Sequence, residues 1–278
     1  MRPEEYAEIV ERALAEDLGG RGDITSAAVI DVDAAARGEV IARGSGVIAG
    51  LEVAAAAFTV VDPEVSVEAH LSDGDRVGPG DLVATVAGRA RPILAAERTA
   101  LNLLGRMSGV ATATARLVEA VEGTGATILD TRKTMPGLRM LDKYAVRMGG
   151  GSNHRMGLYD AVLIKDNHIA AVGDLRLAVS MAREMWGPET MVEVEVEDLD
   201  QLAAALDTDA DRVLLDNMDT ATLRRAVEMV DGRMETEASG GVTPETVREI
   251  AETGVNFISV GWITHSPAQL DLALEFVS

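Results

Sequence analysis

Apolar and polar positions keep two different rhythms along this chain. From residue 31 to 90 they alternate in short runs, as in Gly38-Glu-Val-Ile-Ala-Arg and Val65-Ser-Val-Glu-Ala, broken at Asp73-Gly74, Gly78-Pro79-Gly80 and Gly88. Alternation between such breaks predicts strands and turns. From Glu97 to about Val121, Leu101, Leu104, Ser108/Ala111 and Ala115/Val118 return near the helical period and predict one long helix bridging two domains. Beyond it, apolar or β-branched runs at 127–130, 161–165, 191–196, 212–216, 234–238 and 256–260 are mostly separated by helical stretches at 173–186, 199–206, 220–230 and 244–253. Asp198 with Gln201 reads as a capping pair, and Thr243-Pro244 and Gly254 bracket the last helix. Strands alternating with helices predict an α/β fold with a parallel sheet. A barrel is favoured over a doubly wound sheet, because no Gly-x-Gly-x-x-Gly follows a first strand.

At 278 residues the chain has room for one large domain or two unequal ones. No apolar stretch approaches the roughly 18–20 residues of a spanning helix, and the acidic N-terminus lacks the pattern of a secretory signal, so a cytoplasmic location is expected. The absence of cysteine excludes disulfides, thiol nucleophiles and Cys-ligated zinc or iron–sulfur sites. A net charge of -21 argues against nucleic acid as a partner, since a polyanion calls for a basic face. This acid-rich, lysine-poor composition resembles that of salt-adapted proteins, in which screening over roughly 3 Å at 1 M blunts self-repulsion. Against that background all three lysines, Lys133, Lys143 and Lys165, fall within 33 consecutive positions.

In parallel α/β folds the reactive residues gather at the carboxyl ends of the strands. Here Asp130-Thr-Arg-Lys follows the first run, Lys165-Asp-Asn-His the second, Glu195 and Glu197 lie at the third, Asp216-Asn217 ends the fourth, Ser239-Gly-Gly the fifth and Gly261 the sixth. Arg132, Lys133, Arg139, His154, Arg155, Lys165 and His168 form a cationic set whose mutual repulsion calls for a substrate with at least two negative groups. Glu195 and Asp216 are placed to hold Mg²⁺, directly or through water, and to steady a positive centre. Strand alternation puts Glu193, Glu195 and Glu197 on one face, with Glu193 and Glu197 expected in salt bridges to the arginines. The backbone amides of Ser239, Gly240, Gly241 and Gly261 suit a phosphate. The turn pattern at residues 72–83 resembles biotinyl and lipoyl carrier domains, without their attachment lysine.

The segments Asp130-Thr-Arg-Lys-Thr-Met-Pro-Gly-Leu-Arg, Lys143-Tyr-Ala-Val, Gly149-Gly-Gly-Ser-Asn-His-Arg-Met-Gly-Leu and Leu163-Ile-Lys-Asp-Asn-His-Ile closely resemble quinolinate phosphoribosyltransferase, also called nicotinate-nucleotide pyrophosphorylase (carboxylating). Glu16-Asp-Leu-Gly, Glu97-Arg-Thr-Ala-Leu-Asn, Glu193-Val-Glu-Val-Glu, Leu215-Asp-Asn, Glu237-Ala-Ser-Gly-Gly and Thr264-His-Ser extend the likeness nearly end to end. Met135 replaces the family's usual threonine, and Trp262 stands in a turn that normally holds a small residue.

The resemblance implies an N-terminal α/β sandwich of residues 1–108 plus 267–278 and an incomplete, about seven-stranded α/β barrel of residues 109–266. It implies a homodimer, with hexamers as a further level, in which each subunit's N-terminal domain caps its partner's barrel. The implied reaction is de novo NAD synthesis: quinolinate and phosphoribosyl pyrophosphate give nicotinate mononucleotide, pyrophosphate and CO₂, with Mg²⁺. By motif, Thr131, Arg132, Lys133, His154, Arg155 and Lys165 would bind substrate, joined by Arg98 from the partner. Lys133, Glu195 and Asp216 would act in catalysis, Glu195 and Asp216 at the metal and ribose, and Ser239, Gly240, Gly241 and Gly261 at the 5′-phosphate. The alternatives are a same-fold paralogue acting on another substrate, and a non-catalytic carrier-like module.

Overall fold

A computed structural model describes residues 1–277. In chain order the elements are α1 (Ala7–Leu18), α2 (Ile24–Val29), β1 (Ala35–Ala42), β2 (Gly46–Val47), α3 (Leu51–Val61), β3 (Ser66–Ala69), β4 (Arg76–Val77), β5 (Leu82–Arg89), α4 (Ala90–Ala120), β6 (Thr127–Leu129), α5 (Arg139–Met148) and β7 (Val162–Ile164). They continue with α6 (Asp166–Val172), α7 (Leu175–Trp186), β8 (Val192–Val196), α8 (Leu199–Ala205), β9 (Arg212–Asp216), α9 (Thr220–Val230), β10 (Glu235–Ser239), α10 (Val247–Ala251), β11 (Phe257–Ser259), α11 (Trp262–His265) and β12 (Leu272–Val277). Internal contacts divide the described residues into an N-terminal unit, Met1–Ala115 with Thr134–Gly150 and residues 263–277, and a C-terminal unit, Arg116–Lys133 with Gly151–Trp262.

The N-terminal unit carries an antiparallel sheet in the order β12-β1-β5-β3. The alternation read from the sequence is visible in β1, where Val40 and Ala42 are buried between less buried neighbours. The turn that resembles a carrier domain has a structural job: Asp73 Oδ1 accepts from the backbone N–H of Gly50 and Leu51 at 3.0 and 3.1 Å, capping α3, and its Oδ2 accepts from the Tyr144 hydroxyl at 2.7 Å. Residues 134–150 join this unit, away from the expected boundaries at 108/109 and 266/267. Arg106 binds the fully buried Asp142 through two bonds of 3.1 and 2.9 Å, and Gly149 packs against Ala111 and Thr114. Lys143, on the same helix, is itself fully buried.

The C-terminal unit is built on six parallel strands in the order β6-β11-β10-β9-β8-β7. A single parallel bridge from Leu129 to Ser152 supplies a seventh position beside β6. All six predicted strand runs are strands, and the 220–230 helix has the expected bounds. The last predicted helix is shorter, Val247–Ala251, because Thr243, Pro244 and Glu245 are used in a turn held by Thr246 Oγ1. Aspartates end three of the loops that lead into helices: Asp174, Asp198 and Asp219 accept from the N–H groups of Leu177, Gln201 and Thr222 at 2.7–2.8 Å. Such caps satisfy helix-end donors and place negative charge at the positive end of the helix dipole, so part of the acidic composition is structural.

Gly105 and Gly109, one turn apart on α4, let the segment leading into β12 lie against the helix, with Leu270 N–H bonded to the Gly105 carbonyl at 3.0 Å. A Cβ at Gly109 would fall well inside contact with the Ala268 carbonyl. Gly109→Ala is expected to destabilise the protein by about 2–4 kcal/mol, because backbone must move to relieve the clash. A calorimetric midpoint within a degree of wild type would contradict this close approach.

Candidate active site

Every polar strand end singled out in the C-terminal half lies at the carboxyl end of its strand, and all six strands run the same way. Asp130, just past β6, is fully buried and organises the next loop. Its Oδ2 accepts from Asn153 Nδ2 at 2.6 Å and its Oδ1 from His154 N–H at 2.9 Å. Thr131 Oγ1 accepts from Lys133 N–H at 3.0 Å, turning the chain so that Arg132 and Lys133 are exposed at the rim. Arg155 is half-buried, and its guanidinium donates to the Ala161 carbonyl at 3.0 Å. Burial, and then the nearby charge of Arg132, hold the Arg155 guanidinium pKa below its usual value. Guanidiniums near one another suit a bidentate anion.

Lys165, following β7, is ion-paired with Glu195 on β8. His168 is used locally, its Nδ1 accepting from Lys165 N–H at 2.9 Å at the start of α6. Glu195 also lines a cavity of about 200 Å³ with Asp166, Ile169, Ala170, Glu197 and Gln201. At the end of β9, Asn217 Nδ2 donates to Asp216 Oδ2 at 2.6 Å, while Asn217 N–H donates to the Ser239 carbonyl at 2.8 Å. Asn217 adopts a left-handed backbone, φ 54°, and fills the space above Gly240. A Cβ there would lie 2.7 Å from Asn217 Cγ, and Gly240 has φ 100° in any case. The Ser239-Gly240-Gly241 turn is thereby locked to Asp216. Trp262 fixes its far side, the indole donating to the Val242 carbonyl at 2.9 Å.

Below the rim, β8 is buried along its whole length, valines on one face and Glu193 and Glu195 on the other. Glu193 does not pair with an arginine as expected. His154 Nε2 lies 3.0 Å from its Oε2 and 3.6 Å from Glu237 Oε2. Burial works to lower the His154 pKa, but the hydrogen bond to Glu193 and the charges of Glu237 and Glu193 outweigh it and leave it raised. Glu197, expected in a similar bridge, is exposed. Glu237 and Arg212 were not foreseen as site residues. Arg212 reaches Glu237 at 3.2 Å and Glu235 at 2.8 Å and stacks 3.9 Å over Phe257. The available signal was the pair of glutamates at period two in 234–238, the pattern already noted for 193–197.

Several candidates belong to the other unit. Arg98 lies on α4 with its side chain 62% exposed and paired with Glu97 at 3.5 Å, Arg139 donates to Thr134 Oγ1 at 3.0 Å, and Lys143 is buried. Met135 exposes its side chain, while its N–H donates to Asp142 at 3.2 Å.

Burial, and then the charge of Glu193, push Glu237 up to about 7 from the ordinary 4.5. The folded protein therefore holds a proton there that the unfolded chain releases near pH 4.5, so this contribution is full at low pH and is lost as pH rises through about 7. The shift corresponds to roughly 3 kcal/mol. Between pH 5 and 8, stability should fall by about that much more in wild type than in Glu237→Gln; equal calorimetric slopes would show that Glu237 does not carry the proton.

Comparison with known proteins agrees with this geometry. Residues 23–108 match the quinolinate phosphoribosyl transferase N-terminal domain and residues 110–275 the C-terminal domain of the same enzyme. A chloroplastic nicotinate-nucleotide pyrophosphorylase (carboxylating) of Oryza sativa subsp. japonica is 45% identical over 96% of this chain and 76% of its own length. The probable nicotinate-nucleotide pyrophosphorylase (carboxylating) of Bacillus subtilis is 42% identical over 94% of this chain and 89% of its own. The crystal structure of NadC from Streptococcus pyogenes superposes with a TM-score of 0.95 at 38% identity, covering 100% of this chain and 99% of that one. With both domains matched and near-complete coverage by relatives, the chain belongs to the quinolinate phosphoribosyltransferase family.

Proposed function

We propose that the strand-end cluster carries out the family's decarboxylating phosphoribosyl transfer with a specific division of labour. In this reaction the ring nitrogen of quinolinate bonds to C1 of phosphoribosyl pyrophosphate as pyrophosphate leaves with the C1–O electron pair. The C2 carboxylate then departs as CO₂, and the electron pair left on C2 takes up a proton. Quinolinate brings two carboxylates and the donor brings phosphates, which is the charge that converging cations require.

Arg132 and Arg155 take the carboxylates, with Thr131 and Lys165 completing the pocket and His154 set behind Arg155. The observation that carries this reading is Arg155, half-buried beside the Arg132 charge and held by the Ala161 carbonyl, where one anion would meet both guanidiniums. Lys133 supplies positive charge where the electron pair remains on C2. Glu195 and Asp216 face the positive character that develops at C1 as its bond to pyrophosphate breaks. Ser239, Gly240, Gly241 and Gly261 offer backbone amides to the 5′-phosphate, the role such turns have at the last strands of barrels.

A Mg²⁺ ion suits the donor set. Glu195 and Asp216 are hard oxygen ligands, and the cavity at Glu195 has acidic walls and a volume of about 200 Å³, ample for water-mediated binding. When bound, the ion would neutralise departing pyrophosphate. The protein would act as a homodimer, the partner's N-terminal domain delivering Arg98, whose side chain is exposed on α4. No helix among the described residues is long and apolar enough to cross a membrane, in keeping with a cytoplasmic enzyme. The acid-rich, lysine-poor surface suits work at high salt.

Incubated in high salt with quinolinate, phosphoribosyl pyrophosphate and Mg²⁺, the protein should release equimolar nicotinate mononucleotide, pyrophosphate and CO₂; turnover of nicotinic acid in place of quinolinate would contradict the assignment. Arg155→Ala should raise the quinolinate KM about 10- to 100-fold, the loss of a charge-assisted bond. Mixing Arg98→Ala with Lys133→Ala subunits should restore part of the activity each lacks. Absence of complementation would place Arg98 in its own subunit's site.

A further inference from the structure

Arg155 is held by more than its bond to Ala161. Its backbone N–H donates to Nδ1 of the preceding imidazole, His154, at 2.7 Å. The other ring nitrogen, Nε2, faces Glu193 Oε2 at 3.0 Å and Glu237 Oε2 at 3.6 Å, and the His154 backbone is tied to Asp130. Glu193 and Glu237 are 1% and 0% exposed, and each has an Oε1 with no hydrogen-bond partner. The imidazole thus spans from two carboxylates inside the sheet to the main chain of the arginine at the rim.

We infer that Glu193 and Glu237 are positioning residues for the anion site, holding Arg155 in place through the His154 imidazole. This rests on the reading of Arg155 as a carboxylate-binding residue. An Nδ1 that accepts from Arg155 has no proton of its own, so the neutral ring carries its proton on Nε2, aimed at Glu193. Both nitrogens are then committed inside the protein, and His154 serves quinolinate through Arg155. Stability alone would be served as well by apolar side chains of similar volume at 193 and 237. What the carboxylates add is a fixed ring orientation, and with it a fixed backbone at Arg155, as a carboxylate does for a histidine in many catalytic sites.

The three side chains also have ligand atoms within 4.8 Å of one another, a spacing that a divalent ion could use. The hydrogen bonding selects against it. A ligating Nε2 must be unprotonated, with Nδ1 donating to a second partner, and here Nδ1 accepts.

The test compares steady-state kinetics of Glu193→Met, Glu193→Gln and Arg155→Met with ¹⁵N spectra of the histidine-labelled wild type at pH 8. Glu193→Met should raise the quinolinate KM about tenfold or more and leave the KM for phosphoribosyl pyrophosphate within about twofold. Glu193→Gln, whose amide oxygen still accepts from Nε2–H, should recover most of that loss. His154, identified by its missing signals in His154→Asn, should show the Nε2–H tautomer; if Glu193→Met does not fold, this measurement decides alone. An Nδ1–H tautomer would overturn the proposal, as would an unchanged quinolinate KM in folded Glu193→Met, or Zn²⁺ binding that Glu193→Gln abolishes. An Arg155→Met variant with wild-type quinolinate KM would instead sink the reading of Arg155, a separate failure.

Discussion

Two carboxylates buried within one parallel sheet set the terms for the C-terminal unit. Glu193 and Glu237 share one imidazole, and Arg212 divides its charge between Glu237 and Glu235. In a low-dielectric interior such a group must hold a proton or find a partner: Glu237 is pushed toward its protonated form and reaches Arg212, and Glu193 takes a hydrogen bond from His154. The histidine that answers this need is the residue before Arg155, so the electrostatics of the interior and the geometry of the rim are joined by one peptide bond. Asp130 repeats the pattern just past β6, a buried carboxylate whose two oxygens fix the loop bearing Asn153 and His154.

The rim thus inherits rigidity from layers beneath it. Cations sit on loops whose backbones are tied to strand-end acids, and the Ser239-Gly240-Gly241 turn is tied to Asp216 through Asn217 and to Trp262 through Val242. Strands buried on both faces let this work, since a glutamate on β8 points inward while flanking valines face the helices. The same acid-rich composition supplies the helix caps at Asp174, Asp198 and Asp219, so negative charge shapes the scaffold as well as its chemistry.

Much of this was legible in the sequence because period and position carry it. The six strands of the C-terminal unit follow from apolar runs, and the residues at their carboxyl ends from the directionality of parallel sheets. Side-chain pairing was less visible. Glu193 was expected to meet an arginine and meets His154, because which of several cations reaches a buried acid depends on loop conformation. Lys143 shares its stretch of sequence with the cationic set and is buried in the N-terminal unit, since proximity in sequence says little about which unit a helix joins. His168 looked like another member and serves as a helix cap. Glu237 went unrecognised as a site residue for the opposite reason: it lies beside a turn already singled out, but its importance comes from a strand two places away.

The interlock between Asn217 and Gly240 bears on how this site could change over generations. Asn217 occupies the volume that any side chain at 240 would need, and its left-handed backbone is itself poorly tolerated by most residues. A larger residue at 240 is strained by its left-handed backbone and in addition needs 217 to shrink or move, and a change at 217 alone loosens the carboxylate of Asp216. Each single step is harmful, and the two positions can drift only together. That epistasis would keep the Ser239-Gly240-Gly241 turn the same while the exposed loops around it diverge freely.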